Sequence, residues 1–108
     1  MPRPPKYRWI SRHPGVCYFK PTGVPQNILQ HINLTIDELE AIRLSDLLGL
    51  NQADAALQMN VSRATFGRII TKARNKIANA LVNGMAIEIT GGMVEIKPAR
   101  RRRRGSIV

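Results

Sequence analysis

A chain of 108 residues that is 44% apolar carries enough hydrophobic material for one compact domain and too little length for two. Its formal charge of +10 points to a polyanionic partner, and with no apolar run of about 20 residues and no amphipathic basic anchor a membrane partner is excluded. Met1-Pro-Arg-Pro-Pro-Lys lacks the apolar stretch of a secretory signal and the single Cys17 fits a reducing compartment, so a cytoplasmic protein is expected.

Residues 1–34 hold Arg3, Lys6, Arg8, Arg12 and Lys20 with no acidic residue, and prolines at 2, 4, 5, 14, 21 and 25 disfavour long helix. This stretch reads as an extended basic arm. From residue 35 the sign reverses: Asp37, Glu38, Glu40, Asp46 and Asp54 stand against Arg43 alone up to residue 56, a segment that should face away from phosphate or support the fold. Thr35-Ile-Asp-Glu38 has the form of a capping box, and Ile36, Leu39, Ile42, Leu47 and Leu50 follow at roughly helical spacing. A first helix over about 36–48 is therefore expected, stopped by Gly49. Asn51 caps a short second helix, about 52–59, with Asp54 in its first turn. Asn60 tolerates positive φ, Val61 supplies an apolar plug, and Ser62 caps a third helix that runs to about Val82 and ends at Asn83-Gly84. Its apolar stripe is Phe66, Ile69, Ile70, Ala73, Ile77, Ala80 and Leu81, and its other side carries Arg63, Arg68, Lys72, Asn75, Lys76 and Asn79. Met85–Lys97 alternates apolar and polar residues about Gly91-Gly92, which predicts a small β-hairpin that pairs with 16–20 or with a second subunit. The expected fold is thus mainly α: an arm over 1–34, a helix-turn-helix domain over 35–84, a hairpin over 85–97, and a tail over 98–108.

Two helices joined by a turn of about three residues let the second project into a major groove. Ser62, Arg63, Ala64, Thr65 and Arg68 are the candidate base readers on that geometry, with Lys72 and Lys76 placed to meet phosphates. Gly67, costly inside a helix, suggests close approach by DNA or by a neighbouring helix. Arg100, Arg101, Arg102, Arg103 and Arg104 read either as a disordered, solvated tail or as a phosphate-binding arm; Arg3, Lys6 and Arg8 either enter a minor groove or screen the acidic helix.

The run from Leu34 to Leu50, then Ala55-Ala56, Val61-Ser-Arg-Ala-Thr-Phe-Gly-Arg-Ile69 and Ala80-Leu-Val-Asn-Gly84, together with Met1-Pro-Arg-Pro and Phe19-Lys-Pro-x-Gly-Val-Pro25, closely resembles the uncharacterised protein family numbered 0251. The resemblance covers about residues 1 to 92. It implies a prokaryotic, nucleoid-associated DNA-binding protein whose helix-turn-helix is similar to region four of sigma factors. Some members carry cysteines near the N-terminus where this chain has Tyr7, and the arginine run lies outside the shared pattern.

Scattered His13, Cys17 and His31 lack metal-ligand spacing, so no metal or cofactor is expected. Asp37 and Glu38 are explained by helix capping and the macrodipole, and Asp37, Glu38 and Glu40 lack a nucleophile, a phosphate loop or a His partner, so no enzyme is expected. The leading reading is a sequence-specific regulator that binds double-stranded DNA as a homodimer. Its alternatives are an RNA- or ribosome-associated basic protein, and a sigma-like adapter that contacts the transcription machinery through its acidic helix.

Overall fold

The computed structural model describes residues 7–98. The expected arm residues Arg3 and Lys6 and the arginine run from Arg100 to Arg104 lie outside the described residues. Five short strands frame three helices: β1 (Arg8–Ile10), β2 (Tyr18–Phe19), β3 (His31–Leu34), α1 (Ile36–Ile42), α2 (Gln52–Met59), α3 (Arg63–Asn83), β4 (Ala86–Ile89) and β5 (Val94–Ile96). The architecture is therefore mixed α/β rather than mainly α.

Local capping chemistry accounts for every helix start. Thr35 and Glu38 close the capping box on α1, Asn51 Oδ1 accepts from the Asp54 amide at 2.8 Å, and Ser62 Oγ accepts from the Thr65 amide at 3.1 Å. Helix α1 passes into a π-helical turn, Arg43–Leu47, so together they fill the span expected of one helix. Helices α2 and α3 follow their expected boundaries within a residue or two, and Asn60 between them adopts φ 58°. Gly84 ends α3 in the left-handed conformation.

The strands depart from expectation. No hairpin forms between β4 and β5. Instead β4 lies between β2, antiparallel, and β3, parallel, while β5 pairs in parallel with β1. Gly91-Gly92 has a different task from turning a hairpin. The Ile36 amide donates to the Gly91 carbonyl at 3.0 Å, and a Cβ on Gly92, at φ 101°, would stand 2.7 Å from Asp37 Oδ1. The two glycines let the chain close against the start of α1. Consequently residues 8–34, although extended, are not a free arm: β1, β2 and β3 are sheet members, and Ile10 and Leu34 are buried. The anticipated pairing of 16–20 with the C-terminal segment is present as Tyr18 opposite Glu88 and Phe19 opposite Ile87.

Parallel pairs need long crossovers, and here the crossover is the helical unit itself, carried between β3 and β4. Its main core is Ala41, Leu44, Ala55, Ala56, Met59, Phe66, Ile69 and Ile70. Leu34, Ala73 and Ile89 join α3 to the sheet. Leu81, expected in the apolar stripe, is 75% exposed, and Ala80 is the last buried residue of α3.

Candidate nucleic-acid interface

Helices α2 and α3 meet through the three residues 60–62. The alanines Ala55 and Ala56 and the Phe66 ring are buried where the helices pack, and Val61 packs partly buried against the same core. That packing fixes which way α3 faces. Ser62, Arg63, Ala64 and Arg68 are exposed and Thr65 is half-buried, its hydroxyl accepting from Ser62 Oγ at 3.0 Å and from Arg68 Nη2 at 3.4 Å. Further along, Thr71, Lys72 and Asn75 continue the exposed row at helical spacing. Ala64, Gly67, Arg68, Thr71, Lys72 and Asn75 line one shallow concavity, completed by Gln52 at the start of α2.

Within that concavity Gly67 meets nothing that forbids a side chain. An added Cβ would touch only Gln52 Oε1, at an ordinary 3.5 Å. Helix packing does not require the glycine.

The basic side chains of α3 divide into two sets. Arg74 is bound to Asp46 at 2.7 Å and to Ser45 at 3.1 Å, and Lys76 reaches buried Glu38 at 2.7 Å. The Arg74 guanidinium, hydrogen-bonded to it, holds the Asp46 carboxyl below the usual carboxylate range. Arg63, Arg68 and Lys72, by contrast, have no acidic partner among the described residues. Lys76, expected at a phosphate, is therefore committed to the fold, and so is Arg8, whose Nη1 lies 3.2 Å from Asp37 Oδ2. The third buried acid, Glu40, accepts from Arg43 Nε and Nη2, both at 2.9 Å, and from the Ser11 amide at 3.2 Å. The hydrogen bonds to Glu40, helped by its charge, hold the Arg43 guanidinium above its ordinary titration range.

A family model and curated relatives match nearly all of the described chain. The family model described as "Protein of unknown function DUF134" matches residues 1–97. The chain belongs to this family. Among curated proteins it is similar to the UPF0251 protein of Caldanaerobacter subterraneus subsp. tengcongensis, 58% identical over 96 residues that span 89% of this chain and 81% of that one. The UPF0251 protein of Desulfosudis oleivorans is 59% identical over 92 residues, 85% of this chain and 67% of that one. A UPF0251 protein of Thermoanaerobacter sp. strain X514 is 54% identical over 102 residues, 94% and 90% of the two chains. No solved structure matches. The DUF134 match reaches through β5, in keeping with strands β1 and β5 being one paired element of the fold.

Two further residues of the candidate interface in this UPF0251 member, Gln52 and Thr71, are not singled out by the sequence, and Asn75, expected on the outward side of the helix, is assigned no contact by it. Thr71 and Asn75 are legible in retrospect from the spacing 64, 68, 71, 75; Gln52 is not, since only the crossing of α2 over α3 brings it to Gly67. Other candidate ligands are engaged locally: His31 Nε2 shares a 2.6 Å hydrogen bond with the Tyr18 hydroxyl under stacked rings, and Cys17 Sγ lies 3.9 Å from the Pro14 carbonyl. Among the described residues no helix is long and apolar enough to cross a membrane.

Proposed function

We propose that this protein is a sequence-specific binder of double-stranded DNA, in which α2, the turn 60–62 and α3 act as a helix-turn-helix and the start of α3 reads the major groove. It acts by binding rather than catalysis, as a transcriptional regulator on the nucleoid. The observation that carries this reading is the sorting of cations on α3: Arg74 and Lys76 are spent on Asp46 and Glu38, whereas Arg68 and Lys72, on the concave face, and Arg63, exposed at the first residue of the helix, have no acidic partner among the described residues. Arg63 and Arg68 offer bidentate donors to guanine, Thr65 a methyl and hydroxyl to a base edge, and Ser62, Ala64 and Lys72 contacts to the flanking backbone.

The adapter alternative loses support, because Asp37, Glu38 and Glu40 are buried and paired and so do not present an acidic docking face. A homodimer suits the reading. Phe19, Leu81 and Val82 are exposed near the far end of α3, about 24 Å along the helix from Thr65 at 1.5 Å per residue. Two copies joined there would carry two reading ends, as a two-fold site requires.

The test is a comparison of Arg63→Ala with deletion of the arginine run. Arg63→Ala should flatten discrimination among duplexes by about 1–3 kcal/mol, while deletion of Arg100–Arg104 should weaken all duplexes alike and reduce the salt slope. Uniform weakening by both changes, or tighter binding to single-stranded RNA than to any duplex, would overturn the proposal.

A further inference from the structure

On the other side of the molecule's first helix, a cavity of about 460 Å³ lies between residues 10–15 and the outward face of α1 with its π-helical turn. This volume falls in the range of small-molecule sites. Ile10, Ile36, Leu39, Ile42 and Leu47 provide aliphatic walls. Their cover is incomplete: Ile36, Leu39 and Ile42 are only half-buried and Leu47 is 75% exposed. Four aliphatic side chains left partly wet around one hollow are a surface that an apolar occupant would dry.

The polar end selects the charge of that occupant. Arg12, Glu40 and Arg43 line it. Both Glu40 oxygens are already used by Arg43 and the Ser11 amide, so the carboxylate has little left to offer a cation. Arg12 has no acidic partner among the described residues. Two guanidinium groups against one satisfied carboxylate leave one uncompensated positive charge at the mouth of an aliphatic hollow. A second, independent feature lies in the same place. Arg43–Leu47 is wound as a π-helical turn, with the Leu48 amide donating to the Arg43 carbonyl at 2.9 Å, a rare winding that recurs at functional sites. This turn gives Arg43 and Leu47 to the cavity and Ser45 and Asp46 to Arg74 on α3.

We infer that the cavity is a binding site for a small apolar carboxylate, its chain lying along Leu39, Ile42 and Leu47 and its anionic end on Arg12 and the edge of Arg43. The site goes beyond the DNA-binding reading and does not depend on it. Because the π-helical turn also braces α3, an occupant bears on the element that positions the reading helix.

Methyl-detected NMR of the full chain, titrated in parallel with octanoate, octylamine and 1-octanol, tests the inference without DNA. Octanoate should give saturable shifts at the Ile36, Leu39, Ile42 and Leu47 methyls and bind about tenfold more tightly than either other probe, as a charge-assisted contact would confer. Arg12→Gln should bring octanoate down to the level of octanol, and Leu47→Glu, which places a negative charge at the mouth, should weaken octanoate and not octylamine. Both substitutions fall on exposed side chains, so a preserved methyl spectrum distinguishes loss of the site from loss of the fold. Failure to saturate at millimolar octanoate, or equal affinity for the three probes, would overturn it. So would nuclear Overhauser contacts from residues 1–6 or 99–108 to the Leu39 and Leu47 methyls, which would give the hollow to the chain's own ends.

Discussion

Gly67 stands in the first third of a 21-residue helix, where glycine costs about 0.8–1.0 kcal/mol relative to alanine. Its own neighbours would accept a Cβ, since the nearest atom is the end of the Gln52 side chain at 3.5 Å. On the proposed DNA-binding reading, the missing side chain leaves room for a groove wall or phosphate to approach the helix backbone. Gly67→Ala should accordingly raise stability by about 0.8–1.0 kcal/mol in urea unfolding and at the same time weaken duplex binding. Stabilisation with unchanged DNA affinity would move the contact surface away from this part of α3. Gly92 is the opposite case: its φ of 101° and its 2.7 Å approach to Asp37 explain the glycine entirely from within.

At the scale of elements, lysines one turn apart on α3 have different employment. Lys72 is exposed without an acidic partner among the described residues, and Lys76 is held by Glu38, whose side chain is only 6% exposed. Lys76→Ala leaves that carboxylate without its cation and should cost about 1–3 kcal/mol in unfolding, with no change in the salt dependence of DNA binding. Lys72→Ala should leave stability within about 0.5 kcal/mol and reduce the log–log salt slope by about 0.9. The brace between the π-helical turn and α3 has its own signature. With the folded-state pKa of Asp46 lowered by Arg74, the pair's contribution is present above the unfolded aspartate value near ~3.9 and disappears as pH falls through the folded value. Asp46→Asn should therefore lower stability by about 0.2–1 kcal/mol at neutral pH, a difference that closes on acidification; a gap that persists in acid would show the pair acting through shape and not charge.

These elements also show what a sequence can and cannot disclose. Caps are local, so Thr35, Asn51, Ser62 and Gly84 mark the helix ends independently of packing. Strand partners are not local: the alternation of 85–97 was legible, but β1 and β3, more than 50 residues earlier in the chain, out-compete a hairpin for β5 and β4. The fate of Lys76 was illegible for the same reason. Helical spacing puts it beside Lys72, and only the crossing of α1 delivers Glu38 to it. Ser62, Arg63, Ala64 and Arg68, at the free end of α3, were placed outward by capping and periodicity alone, and they are exposed.

On the scale of the whole molecule, the parallel pairs β1–β5 and β3–β4 tie both ends of the described chain around the helical unit and leave one face of α3 open. Three of the seven acidic residues are turned inward, where Asp37, Glu38 and Glu40 neutralise Arg8, Lys76 and Arg43, while Arg63, Arg68 and Lys72 face out. The inward pairing concentrates the protein's positive field on the open face, which favours association with a polyanion. Charge alone would bind any duplex. On the proposed reading the start of α3 discriminates among them, and selection from a random duplex library at about 0.15 M salt tests this most directly, since screening weakens long-range attraction and spares close contacts. Selection should return a motif, in inverted half-sites about 10 base pairs apart, that is lost in Arg63→Ala. A library returned without any motif, with binding that vanishes as salt rises, would contradict it.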